Sequence, residues 1–198
     1  LNFGILLHTE LGGKALKAPY ESHYLYHLDA SDFITFVNQD WLDFAVANGT
    51  PNLTETTVLG QCLWKFIYSP ETRPFYEQFF ESVRTQHRNM QVAFRGDSPL
   101  IERHFVLSIS ALPNNALCLD GRLLVERPIT LTFSDDKEIS LEQEIICQCS
   151  LCLRVKGYSQ RWKDWVTLGW QYNLLKPIMP IHYVICPDCH DQAATTEL

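Results

Sequence analysis

The sequence predicts an α+β fold in which a five-stranded antiparallel sheet carries helices on one face and a small cysteine-rich module follows. Three observations lead there. Apolar residues make up 46% and charged residues 20% of 198 positions, the balance of a chain that buries a sizeable core. Two strand-like stretches precede a helical middle, and three stretches with a period of two follow it, an order that builds an antiparallel sheet. Five of the seven cysteines fall after residue 146.

Residues 1–24 read as a polar lead-in arm, broken by Gly12, Gly13 and Pro19, with room for one short helix. "LYHL" over 25–28 and "FITFVN" over 33–38 are strands, joined as a hairpin by the turn-forming "DASD". Asn38 and Asp40 offer cap oxygens to a helix starting at Trp41, and Asn48-Gly49 stops it. "VLGQCLWKFI" is punctuated by glycine and holds one or two short helical turns. Ser69-Pro70 opens a longer helix, with Pro74 limiting how early it becomes regular. Its stripe of Phe75, Phe79 and Val83, flanked by Tyr76 and Phe80, has helical spacing and is assigned to the core.

The period then becomes two. Val92 and Phe94 point inward, followed by the turn "GDSP". In the next strand Phe105, Leu107, Ile109 and Ala111 share one face, and His104, Val106, Ser108 and Ser110 the other. A last strand runs over 117–127 with an expected interruption at Asp120-Gly121. The predicted organisation is an arm over 1–24, a sheet domain over 25–129, an acidic linker with a short helix over 130–146, and a cysteine module over 147–198. Trp162, Trp165 and Trp170 supply what core that module has.

Cys149 and Cys152 form one C-x2-C pair and Cys186 and Cys189 a second. Each such loop aims two thiolates at one point, and two loops complete a tetrahedron. These four are the candidate metal ligands. Zinc accepts four thiolates without geometric strain; iron in a mononuclear site, an iron–sulfur cluster and a metal-free dithiol switch are the alternatives. The 33 residues between the pairs exceed a compact finger and must carry structure of their own. Cys147 and His182 are reserve ligands, His190 a solvated helix residue. Cys62 and Cys118, set in apolar sequence, are expected to be buried packing residues.

The net charge of −7 lacks the basic footprint of a nucleic-acid binder. No apolar run is long enough to span a bilayer and no secretory leader is visible, so a cytoplasmic protein is expected. No G-x-S-x-G, P-loop, H-E-x-x-H or G-x-G-x-x-G motif occurs, and four sulfurs around a metal leave no open position. The expectation is therefore no enzyme, thiol redox activity of the C-x2-C pairs being the one enzymatic alternative. Arg95, Asp97, Glu102, Arg103 and Arg127 are assigned to a surface ion-pair network, with a patch contacting a partner or neighbouring helix as the other reading. His8, His23, His27, His87 and His104 are scattered and none is placed as a haem ligand. Phe36, Trp41, Phe44, Trp64, Phe66 and Phe94 could line a flavin-sized pocket or simply fill it, so a haem or flavin has no specific support.

The segments "FITFVNQDWLDFA", "VLGQCLWKFI", "ETRPFYEQFFESVR", "FRGDSP" with the following "ERHF", and the closing "VER" make residues 25–127 resemble a PAS domain, over about half the chain. The tail resembles the cysteine module that follows some bacterial PAS domains, C-x2-C-x-R-V … W … P-x-x-H-x-x-C-P-x-C. It matches through Cys149, Cys152, Arg154, Val155, Trp162 or Trp165, Pro180, Cys186, Pro187 and Cys189; His182 lies one position off the pattern. The resemblance implies a five-stranded sheet that can enclose a small ligand, a zinc-ribbon-like tail, and a sensory role in bacterial signalling. No kinase, cyclase or DNA-binding effector is recognisable. The chain is thus expected to act through a signalling partner or small ligand, with a homodimer open, or as part of a longer protein.

Overall fold

The computed structural model describes residues 22–67, 69–97, 101–129, 146–156, 160–164 and 181–195. The helices expected in the arm and in the acidic linker lie outside these residues, as do Trp165 and Trp170.

The first sheet takes β1 (His23–Leu28), β2 (Ile34–Val37), β3 (Met90–Arg95), β4 (Ile101–Ala111) and β5 (Leu117–Pro128). Their order is β2-β1-β5-β4-β3, and every neighbouring pair is antiparallel. The predicted fold class is the one observed: α+β, with a five-stranded antiparallel sheet. Between β2 and β3 lie α1 (Gln39–Ala47), α2 (Glu55–Val58), a single 3-10 turn at Leu63–Lys65, and α3 (Thr72–Gln86). Alternation explains the inward face: Tyr24, Tyr26 and Leu28, Val92 and Phe94, Phe105, Leu107 and Ile109, and Leu117 and Leu119 are all buried. Trp41, Ala45, Phe75, Phe79, Phe80 and Val83 pack on them from the helices, so the α3 stripe is core as predicted. Phe94 stacks on Phe105 at 5.1 Å between ring centroids.

Four local expectations are corrected. β5 is not interrupted at Asp120-Gly121; its pairing with β1 is continuous there, and Gly121 has room for a Cβ at ordinary contact distance from Tyr24. The irregularity falls further on, where His104 pairs with Val125 but Phe105 with Leu123, leaving Leu124 as an extra residue. Cys62 and Cys118 are half-buried rather than buried. Phe36 lies on the exposed side of the sheet, ring to ring with His27 at 4.8 Å, and is no pocket residue. Strand β1 starts at His23, two residues before the sequence signal.

The second sheet is β6 (Ile146–Cys149), β7 (Val155–Lys156), β8 (Trp162–Lys163) and β9 (Ile181–Val184), ordered β8-β7-β6-β9. β6 and β9 run parallel. A terminal helix, α4 (Pro187–Thr195), follows β9. Leu151, Cys149, Cys186 and Cys189 belong to the same buried cluster as the first sheet, so the module shares its core.

Asn38 joins hairpin to helix. Its Oδ1 accepts the Trp41 N–H (3.0 Å), capping α1, and also the Leu25 N–H (3.1 Å), while its Nδ2 donates to the His23 carbonyl (2.6 Å). Asn38→Ala removes a cap and two strand bonds and is expected to cost about 2 kcal/mol. Asn38→Asp keeps both acceptors, loses the donor, and should cost less. Urea unfolding of the two variants checks the order; equal losses would mean the cap alone matters.

Candidate metal centre

Two knuckles build the centre. In the first, β6 delivers Cys149 and the chain turns back at once, with Leu153 N–H on the Cys149 carbonyl (3.0 Å) and Cys149 N–H on the Arg154 carbonyl (2.8 Å). Leu153 takes a left-handed backbone (φ 59°), a conformation that costs a non-glycine residue roughly 1–2 kcal/mol. Its side chain is buried, which offsets that strain. In the second, β9 delivers Cys186, and Pro187 starts α4 so that Cys189 falls in its first turn.

The parallel pairing of β6 with β9 sets the two knuckles side by side. The Sγ atoms of Cys149, Cys152, Cys186 and Cys189 all lie within 4.8 Å of one another, and Cys152 Sγ is 3.7 Å from Cys186 Sγ. Four sulfurs at tetrahedral corners about 2.3 Å from an ion would be about 3.8 Å apart. The donor set therefore fits a metal ion. All seven cysteines are free thiols. Cys147 and His182 sit outside the group; they are register partners on β6 and β9, and His182 Nε2 instead meets Glu71 (3.2 Å). His190 is exposed.

The electrostatics suit a cation. Hydrogen bonds from the Cys149 and Cys189 thiols, with the Arg154 guanidinium, pull the Cys152 thiol far down. The same crowding pushes Cys149 up to about 12, the hydrogen bond with Cys152 leading, and raises Cys189 further. One thiolate is thus favoured and the next ones oppose it, an opposition that a central dication reverses. The Cys186 backbone N–H points at Cys149 Sγ (3.4 Å). Arg154 donates Nε to Cys152 Sγ (3.1 Å), Nη2 to Cys186 Sγ (3.3 Å) and Nη1 to Asp188 (2.7 Å).

The first knuckle is also bonded into the sheet domain, which the sequence did not reveal. Leu151 O accepts the Arg95 backbone N–H (2.6 Å) at the end of β3. The Ser150 and Thr72 hydroxyls, both buried, share a hydrogen bond of 2.7 Å at the start of α3. Ser69 Oγ accepts the Thr72 N–H (3.2 Å) and donates to the Tyr183 carbonyl on β9 (2.8 Å). Ser150 N–H closes the loop on Val184 O (2.8 Å). No spacing links Ser150 to a threonine 78 residues away; a polar residue at the centre of a knuckle was the only hint.

Beside this junction lies the charged group assigned to the surface. That assignment is overturned for four of the five, Arg95, Asp97, Glu102 and Arg103 being 4–7% exposed, and holds for Arg127, which is exposed. Asp97 takes the Arg95 side chain and the Arg103 backbone N–H (2.9 Å). Arg95 Nη1 reaches both oxygens of Asp164, past β8 in the second module (3.1 and 3.0 Å). Glu102 accepts two bonds from Arg127 (2.9 Å each) and meets His104 (2.5 Å). The charges can be buried because each is paired. Arg127, with His104 and Arg95, holds the Glu102 carboxyl down at about 2 against the contrary effect of burial.

No family model matches the chain, and no curated protein sequence does. Among solved structures the chain is similar to the crystal structure of a sensory box sensor histidine kinase from Vibrio cholerae, at 10% identity and a TM-score of 0.40 over 54% of this chain and 84% of that one. A likeness that slight carries no weight for function. Among the described residues no helix is long and apolar enough to cross a membrane.

Because the Glu102 carboxyl is lower folded than its ordinary 4.5, its contribution to stability is present above that value and is lost as pH falls toward 2. Glu102→Gln should therefore destabilise the protein most near neutral pH. The gap to wild type should shrink between about pH 4.5 and 2, as urea titrations at several pH values would record. A gap independent of pH would mean that shape, not charge, holds this group.

Proposed function

We propose that the chain is a non-enzymatic sensory protein. Its sheet domain takes a small ligand or a signalling partner. A structural zinc, held by Cys149, Cys152, Cys186 and Cys189, keeps the C-terminal module set against it. One observation carries this reading: the knuckle that brings Cys149 and Cys152 to the centre is the segment whose Ser150 and Leu151 are bonded to Thr72 and Arg95 of the sheet domain.

Zinc suits an all-sulfur set because it is redox-inert and has no geometric preference that four thiolates would violate. Bound there, it supplies a cross-link between two distant stretches of chain and no catalytic position, since all four places are taken. The rest is done by the protein. A ligand or partner that binds one arrangement of α3 and β3 better than another shifts the balance between them. The Thr72–Ser150 and Arg95–Leu151 bonds transmit that shift to the knuckle. The described core of the module is shared with the sheet domain, so the module moves as a unit with it or parts from it. A reducing compartment such as the cytoplasm, where thiolates remain available to metal, is part of the proposal.

Elemental analysis of the purified protein should find one zinc per chain, with Cys149, Cys152, Cys186 and Cys189 protected from a thiol reagent. Removing the metal with a chelator should speed amide exchange at Thr72 and Arg95 as well as within 146–156. Iron in place of zinc would keep the cross-link and change the ion. Metal-free protein whose C-x2-C pairs oxidise readily would replace this reading with a thiol redox sensor. Exchange confined to the module would remove the coupling.

A further inference from the structure

The four sulfurs are not equally enclosed. Cys149 and Cys186 are fully buried and Cys189 nearly so, whereas Cys152 is only half-buried. Cys152 is therefore the least enclosed of the four residues. Arg154 lies on that sulfur. Its guanidinium spans the gap between the knuckles, with Nε on Cys152 Sγ at 3.1 Å and Nη2 on Cys186 Sγ at 3.3 Å, one sulfur from each. Asp188, on α4, holds the remaining Nη1 at 2.7 Å and so fixes the plane of the group.

We propose that Arg154 is a positioning residue that covers the open side of the metal centre, shielding the Cys152 thiolate from electrophiles and joining the two knuckles through their sulfurs. This rests on the reading of the four cysteines as a metal centre. Four thiolates around a dication leave a doubly negative centre, and a permanently charged guanidinium is the one cation seen against these sulfurs among the described residues. A sulfur that accepts a charged hydrogen bond has fewer electrons to offer an attacking reagent. Lysine cannot replace it: a single ammonium on a flexible stem has no planar fork to serve two sulfurs and a carboxylate at fixed angles. The centre thereby resists modification at the place where it is most accessible, and the order in which its thiolates react is set by a residue that binds no metal.

The test compares zinc-loaded wild type, Arg154→Gln and Arg154→Lys, each treated with N-ethylmaleimide. Early time points are read cysteine by cysteine by mass spectrometry, and metal content is measured on the same samples. The initial rate at Cys152 should rise on the order of tenfold in both variants. Cys149 and Cys189 should not be modified ahead of it. An unchanged Cys152 rate overturns the proposal, as does simultaneous acceleration of all four, which would be general loosening. Full protection in Arg154→Lys would leave charge alone as the cause and overturn the two-pronged cover. Wild type without bound metal would sink the metal-centre reading and this proposal together. Wild type with metal and no change at Cys152 would sink this one alone.

Discussion

The hydrogen bond from the Arg95 backbone to the Leu151 carbonyl is the constraint on which the rest of the arrangement depends. It ties the first cysteine knuckle to the end of β3, the edge strand of the first sheet. Once that knuckle is anchored, Ser150 meets Thr72, Leu151 enters the shared core, and Cys149 and Cys152 have fixed positions. The second knuckle then needs only the parallel pairing of β6 with β9 to complete the four. A tail module attached by a linker alone would have none of this registration.

The charged group explains how the junction can be polar and still buried. Burying Arg95 or Asp97 by itself would carry a desolvation penalty of several kcal/mol. Here Arg95 is met by Asp97 and Asp164, and Glu102 by Arg127 and His104, so no charge is left without an opposite. The same pairing favours one geometry over its neighbours, because a displacement of the second module would strip Asp164 from Arg95.

Much of this was legible in the sequence where a period or a spacing carried it. The alternation through Phe105, Leu107 and Ile109, the helical stripe of Phe75, Phe79 and Val83, and the two C-x2-C pairs each state their geometry locally. What was not legible depends on what packs on top. Arg95 and Glu102 read as surface residues because charge normally marks the surface, and nothing near them in the chain announces Asp164 or the knuckle. Gly121 suggested a break because glycine often marks one, yet it sits in a regular strand; Leu124, with no special chemistry, is the residue the bulge leaves over. The PAS resemblance predicted the sheet and its helices, but no family model matches, and the docking of the tail lay beyond what it implied.

The parallel arrangement of β6 and β9 has a consequence for biosynthesis. Parallel neighbours cannot be joined by a tight hairpin, so their pairing waits for the whole crossover to be made. Ser150 and Leu151 are made before Tyr183, so Thr72 and the Arg95 amide are covered first, while the Ser69 hydroxyl faces water until β9 arrives with the Tyr183 carbonyl. The nascent sheet domain therefore passes through a stage with an open polar seam, closed in two steps, first by the knuckle after β6 and then by β9.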